Sequence, residues 1–199
     1  MNGGSIGMVL FLMASVVAGC GKEGNPEYGM DERDALRVMT DTARNRRWVL
    51  GLDDVRVYDT VKKRLIRKIV LPSWSVARFI CNPDMVLDGL GSAYISSNVQ
   101  AKIWRIDAAS FEVKEHKISL LGRERWDVGF GALAFATDGT LYALTSTVGS
   151  LWKVDVARED ASMIEPNDPP SKACAFTAQF LKDFERSRKP WTHPLPQLP

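Results

Sequence analysis

The sequence predicts an all-β fold, an incomplete β-propeller-like repeat of about three blades, each a four-stranded antiparallel unit, with a short C-terminal helix. Three observations predict it. The first is a period of 48 residues: Gly91, Tyr94, Trp104 and Asp107 recur as Gly139, Tyr142, Trp152 and Asp155, and Asp59 stands one period before Asp107. Self-similarity at such a period marks a repeat architecture. The second is that each period holds four short extended segments bounded by glycine and other turn-forming residues, the signature of a propeller blade. The third is the aspartate ending the third segment of each unit (Asp59, Asp107, Asp155), which can accept backbone N–H groups in the turn that follows.

The whole chain bounds the function classes. With 199 residues, 45% of them apolar, it can bury one ordinary core. Its 26 basic and 24 acidic residues leave a net charge of +2, which is no nucleic-acid footprint. Three cysteines are too few for a disulfide-stapled scaffold, and neither they nor the two histidines, His116 and His193, stand at zinc-ligand or catalytic-triad spacing. No cofactor and no metal site is expected.

From the N-terminus, residues 1–21 carry no charged side chain, and Ile6 to Val17 is an apolar run of twelve. That is the length of a signal-peptide core and short of the roughly 20 residues that span a bilayer. The ending Val17-Ala18-Gly19-Cys20 resembles the lipobox of bacterial lipoproteins. The resemblance implies a signal peptide over 1–19, a palmitate-type acyl modification on Cys20, and a mature chain that starts there, held to the membrane by lipid. An ordinary cleaved signal peptide and a short uncleaved anchor are the alternatives. Gly21 rather than aspartate after the cysteine implies, by the same resemblance, the outer membrane facing the periplasm. Residues 20–32, rich in glycine, proline and charge, read as a flexible tether.

Residues 33–166 hold the repeats. The first unit supplies Leu36–Val38, Trp48–Leu50, Val55–Tyr58 and Leu65–Leu71, with Lys62, Lys63, Arg64, Arg67 and Lys68 as a solvated turn and an outward strand face. The second supplies Met85–Leu87, Ala93–Ile95, Lys102–Ile106 and Val113–Leu120. The third supplies Leu133–Phe135, Thr140–Leu144, Ser150–Val156 and Ser162–Ile164. At these residues, "VRVYDTVKKRLIRKIVLP" (55–72) and "DGTLYAL" (138–144) resemble YVTN-type and quinoprotein-like propellers. Tyr94, Tyr142, Trp104 and Trp152 read as packing between blades, since each recurs at the same place in its unit.

Three units are fewer than the four to eight of closed propellers. A partner chain, self-association, a longer relative, or the tail itself would have to deal with the open end. In the tail, 167–199, Ser171 can cap a helix over 172–189 whose Ala173, Phe176, Phe180, Leu181 and Phe184 form one apolar face, before a proline-rich end. Cys81 and Cys174 would clamp that tail to the repeats if they form a disulfide in an oxidising compartment.

The function expected is that of a lipid-anchored envelope protein whose repeats bind or scaffold a protein or glycan partner, with no nucleic acid involved. The connectors between blades emerge on one face and carry Trp74, Arg123, Arg125 and Trp126, residue types that dominate binding hot spots. The alternative is a small propeller enzyme, by resemblance to lactonases or quinone-dependent dehydrogenases. It would draw on Asn82, Asp84 and Asp88, the acidic and amide groups beside a first strand.

Overall fold

The computed structural model describes residues 34–78, 80–123, 125, 129–165, 174 and 176. Three four-stranded antiparallel sheets follow one another, each in simple meander order. The first blade is β1 (Arg37–Asp41), β2 (Arg46–Leu50), β3 (Val55–Asp59) and β4 (Arg64–Ile69). The second is β5 (Met85–Leu87), β6 (Ala93–Ser96), β7 (Lys102–Ile106) and β8 (Val113–Lys117). The third is β9 (Phe130–Phe135), β10 (Leu141–Thr145), β11 (Leu151–Asp155) and β12 (Asp160–Glu165). First strands adjoin one another, β1 beside β5 and β5 beside β9. The blades therefore stack face to face around their inner edges, as in part of a propeller.

The alternation of side chains along each strand decides what lies between the blades. Trp48, Leu50, Val55 and Val57 of the first blade meet Met85, Ile95, Trp104 and Ile106 of the second in one buried cluster. The opposite face of the second blade, with Val86 and Ile103, meets Phe130, Leu133, Leu141, Ala143 and Trp152 of the third. Trp104 and Trp152, each 1% exposed, are thus inter-blade packing residues. Tyr94 packs half-buried between the second and third blades, whereas Tyr142 faces the far side of the third.

The repeated aspartates act as turn acceptors. Asp59 Oδ1 accepts the N–H groups of Val61 and Lys62 at 2.9 and 2.8 Å. Asp107 Oδ1 accepts those of Ala109 and Ser110, both at 2.9 Å. Asp155 Oδ1 accepts those of Ala157 and Arg158 at 3.1 and 3.0 Å.

Several boundaries differ from expectation for a tertiary reason. The fourth strand of the second blade ends at Lys117 rather than Leu120, because Ser119 leaves its own sheet. Its N–H donates to Glu159 O at 2.9 Å and its carbonyl accepts from Ala161 N at 3.0 Å, a parallel bridge to the third blade. The first strand of the third blade begins at Phe130, with a register break opposite Leu144 and Thr145. Gly131 sits at that break, where a Cβ would lie 2.3 Å from Cys81 Cβ, so only glycine lets the connector pass.

The helix expected over 172–189 lies, apart from Cys174 and Phe176, outside the described residues. At Cys174 φ is +57°, a left-handed value outside the right-handed helical range. Cys20, the tether and the proline-rich end also lie outside the described residues. No helix among the described residues is long and apolar enough to cross a membrane.

Candidate functional site: the connector end of the blades

Each blade passes to the next through a connector running from a fourth strand to the following first strand. Both connectors therefore leave at the same end of the stack. The first connector, between β4 and β5, is fastened at successive points along its length. Trp104 Nε1 donates to Pro72 O at 3.0 Å, and Trp74 Nε1 donates to Leu52 O, 2.6 Å away. The Trp74 ring stands edge-on to Trp104 with centroids 5.2 Å apart.

Further along, the fully buried Asn98 of the β6–β7 turn holds the connector with three bonds. Its Nδ2 donates to Ala77 O at 2.7 Å and Cys81 O at 2.9 Å, and its Oδ1 accepts from Ala77 N at 3.2 Å. The Asn98 carbonyl in turn accepts from Ser146 Oγ at 2.8 Å. Ser146 is the residue one period later, so equivalent turns of the second and third blades are tied together. Cys81 is disulfide-bonded to Cys174, 93 positions away in sequence, with Cα atoms 5.1 Å apart.

The connector ends on Asp84, which joins all three blades. Its Oδ1 pairs with Arg37 Nε of β1 at 3.0 Å, its Oδ2 accepts from Leu133 N of β9 at 2.9 Å, and Ser96 Oγ of β6 accepts from its N–H at 2.8 Å. Burial raises the carboxyl's pKa above the ordinary value, against the lowering pull of the Leu133 N–H and the Arg37 guanidinium.

Of the residues marked in sequence, Trp74 is half-buried with its polar edge already bonded, so its described contacts are those of packing beneath its own loop. Arg123 and Arg125 are exposed on the second connector, and Trp126 lies outside the described residues. Asn82, Asp84 and Asp88 do not converge. Asn82 is exposed, Asp84 is the three-blade junction, and Asp88 at the far end of β5 accepts from Leu90 N and Ser92 N at 2.9 Å each. Among the described residues no three His, Cys, Asp or Glu side chains gather as a metal group would require. Sequence reasoning missed Asn98. Its signal was present, since Asn98 and Ser146 occupy the same place in the period, but a lone asparagine in a turn reads as turn chemistry.

At the opposite end lies a cleft of about 350 Å³ between the second and third blades, lined by Tyr94, Phe135, Asp138, Lys153 and Asp155 among others. Tyr94 and Phe135 meet edge to face at 5.1 Å, and Arg105 Nε donates to Tyr94 Oη at 3.1 Å. The Asp138 and Asp155 carboxylates here each accept backbone N–H groups of their own turns.

Comparison with known proteins bears on the fold alone. No family model and no curated protein sequence matches the chain. Among solved structures, a catalytically inactive virginiamycin B lyase from Staphylococcus aureus with quinupristin is similar at 14% identity and a TM-score of 0.52, over 69% of this chain and 43% of that one. A structural-genomics protein of unknown function from Bacteroides thetaiotaomicron is similar at 14% identity and a TM-score of 0.50, over 70% and 39%. The Kuenenia stuttgartiensis hydrazine synthase matches at 22% identity and a TM-score of 0.49, over 64% and 36%. The chain thus spans less than half the length of each. The first two support a propeller-like fold for this chain.

Proposed function

We propose that this chain is a lipid-anchored protein of a bacterial cell envelope, attached through Cys20 to the outer membrane on its periplasmic side. Its propeller-like blades serve as a binding or scaffold module whose connector end receives a protein or glycan partner. The observation that carries the reading is the immobilisation of the first connector. Backbone carbonyls of Pro72, Ala77 and Cys81 are each held by buried side chains, and the disulfide fixes the same segment. A loop fixed before it meets its partner loses little entropy on binding. Arg78 and Asn82 stand exposed on this loop, with Arg123 and Arg125 on its neighbour. Arginine forks suit carboxylate or phosphate groups on such a partner.

A photo-crosslinking residue placed at 123 or 125 in living cells should give a discrete adduct, while the same residue at Ser110, in a turn at the opposite end, gives none. The same adducts from all three positions would remove the connector-end reading. Palmitate-analogue labelling of the wild type and not of Cys20→Ser tests the anchor, and equal labelling of both would overturn it.

A further inference from the structure

The outer edge of the first blade is unlike the rest of the described surface. Among the described residues seven large apolar side chains are exposed, and four of them fall between positions 61 and 70: Val61 and Val70 at 69%, Leu65 at 44% and Ile66 at 37%. Between them stand Lys62, Lys63, Arg64, Arg67 and Lys68, all exposed. Lys68 pairs with Asp54 at 3.1 Å and Asp59 lies near Lys62 and Arg64, but these two, Lys63 and Arg67 make no close ion pair among the described residues. Among the described strands β4 is also an edge strand, hydrogen-bonded to β3 alone. Edge strands commonly carry lysines that discourage pairing with other chains. That role accounts for the cations and not for four apolar side chains exposed beside them.

Apolar groups interleaved with five exposed cations along one edge suit a surface that is anionic at its face and apolar just beneath. We infer that β4 and its flanking turn, residues 61–70, form a docking strip for an anionic lipid bilayer. The cations sit among the headgroups, and Val61, Leu65, Ile66 and Val70 reach the headgroup–acyl boundary. β4 can lie along such a surface, because its six residues extend over roughly 20 Å. The inference extends the lipid-anchor reading. The residues between Cys20 and β1 span at most about 3.5 Å each, which leaves the strip within reach of the membrane that holds the anchor. The strip would then orient the blades edge-on and leave both ends of the stack accessible from the side.

The test uses the full-length Cys20→Ser chain, which cannot be acylated at that position, so its outcome is independent of the anchor. An environment-sensitive dye is attached to Leu65→Cys, or to Val148→Cys in the third blade as a matched exposed apolar control. Phosphatidylglycerol-containing vesicles should blue-shift the dye at 65 and not at 148, and pure phosphatidylcholine should shift neither. The shift should vanish near 1 M salt, where the screening length is about 3 Å. Lys62→Gln, Lys63→Gln and Arg67→Gln together should weaken the response about a hundredfold, at roughly fivefold per cation. Equal shifts at 65 and 148, or a shift at 65 that ignores lipid charge, would overturn the inference. A vesicle-free shift that grows with protein concentration would overturn it too, assigning the strand edge to a second copy of this chain.

Discussion

Asp59 and Asp107 show how one residue type is used repeatedly for one local purpose. Backbone N–H groups of the following turn hold both carboxyls below the ordinary aspartate range, and those of Thr140 do the same for Asp138. A carboxyl whose folded pKa is depressed contributes stability that is complete above its unfolded value. That stability is lost as pH falls through the folded value. Denaturant unfolding between pH 6 and pH 2, values spanning roughly the carboxylate range, should therefore show a decline in acid. The decline should flatten in Asp59→Asn, Asp107→Asn, Asp138→Asn, which keeps an acceptor and removes the titration. Asp84 carries the opposite sign, because burial raises its pKa and its ionisation works against folding as pH rises. Its worth lies in its acceptors. Asp84→Ala leaves the Leu133 N–H and the Arg37 guanidinium without their partner and should cost about 2–4 kcal/mol by the same unfolding measurement.

At the scale of the elements, the third strands carry the inter-blade packing. Trp104 and Trp152 stand at the same position of β7 and β11, yet their indole N–H groups differ. Trp104 donates to Pro72 O at 3.0 Å, whereas Trp152 Nε1 is buried with no hydrogen-bond partner among the described residues. Trp152→Ala should destabilise by about 3–5 kcal/mol through lost burial and the cavity left behind. Trp152→Phe should be the milder of the two phenylalanine substitutions, because it removes an unsatisfied donor, while Trp104→Phe leaves a carbonyl unpaired. Thermal unfolding of both variants checks the order, and a milder Trp104→Phe would contradict this account of the two interfaces.

For the molecule as a whole, the outer faces of the first and third blades differ in make-up. The face of the first blade turned away from the second carries Val38, Thr40, Arg47, Arg56 and Tyr58 around a buried Val49. The free face of the third presents Ala132, Leu144 and Leu151 with Tyr142 and Ile164, and Phe176 of the tail packs on them. The tail is bonded to Cys81 two residues before Phe176, so the disulfide holds this cover in place. Unfolded, non-reduced protein should show no free thiol at Cys81 or Cys174. Reduction should lower stability by about 2–4 kcal/mol and expose the apolar face, seen as hydrophobic-dye binding and a rise in mass with concentration. Unchanged dye binding after reduction would mean that Phe176 holds its place without the bond.

The repeat period, the twelve strands to within a few residues, the Asx turns and the inter-blade tryptophans were legible in the sequence. They rest on short-range chemistry: alternation along a strand, an aspartate acting on the next two N–H groups, and a pattern copied from unit to unit. The connector end was legible only as a pair of loops with suggestive residues. Tertiary structure alone decided that Trp74 packs rather than projects, that Asn98 grips a segment about twenty residues away, and that Asp84 joins three blades instead of pointing into a funnel. It also decided that Cys81 meets Cys174, and that Phe176 packs on the apolar outer face of the third blade. Each of these depends on which groups distant in sequence are brought within hydrogen-bonding or bonding distance. A repeat states that its units are alike; the blades' stacking then places equivalent positions in unequal surroundings, at an interface in one unit and at a free face in the next.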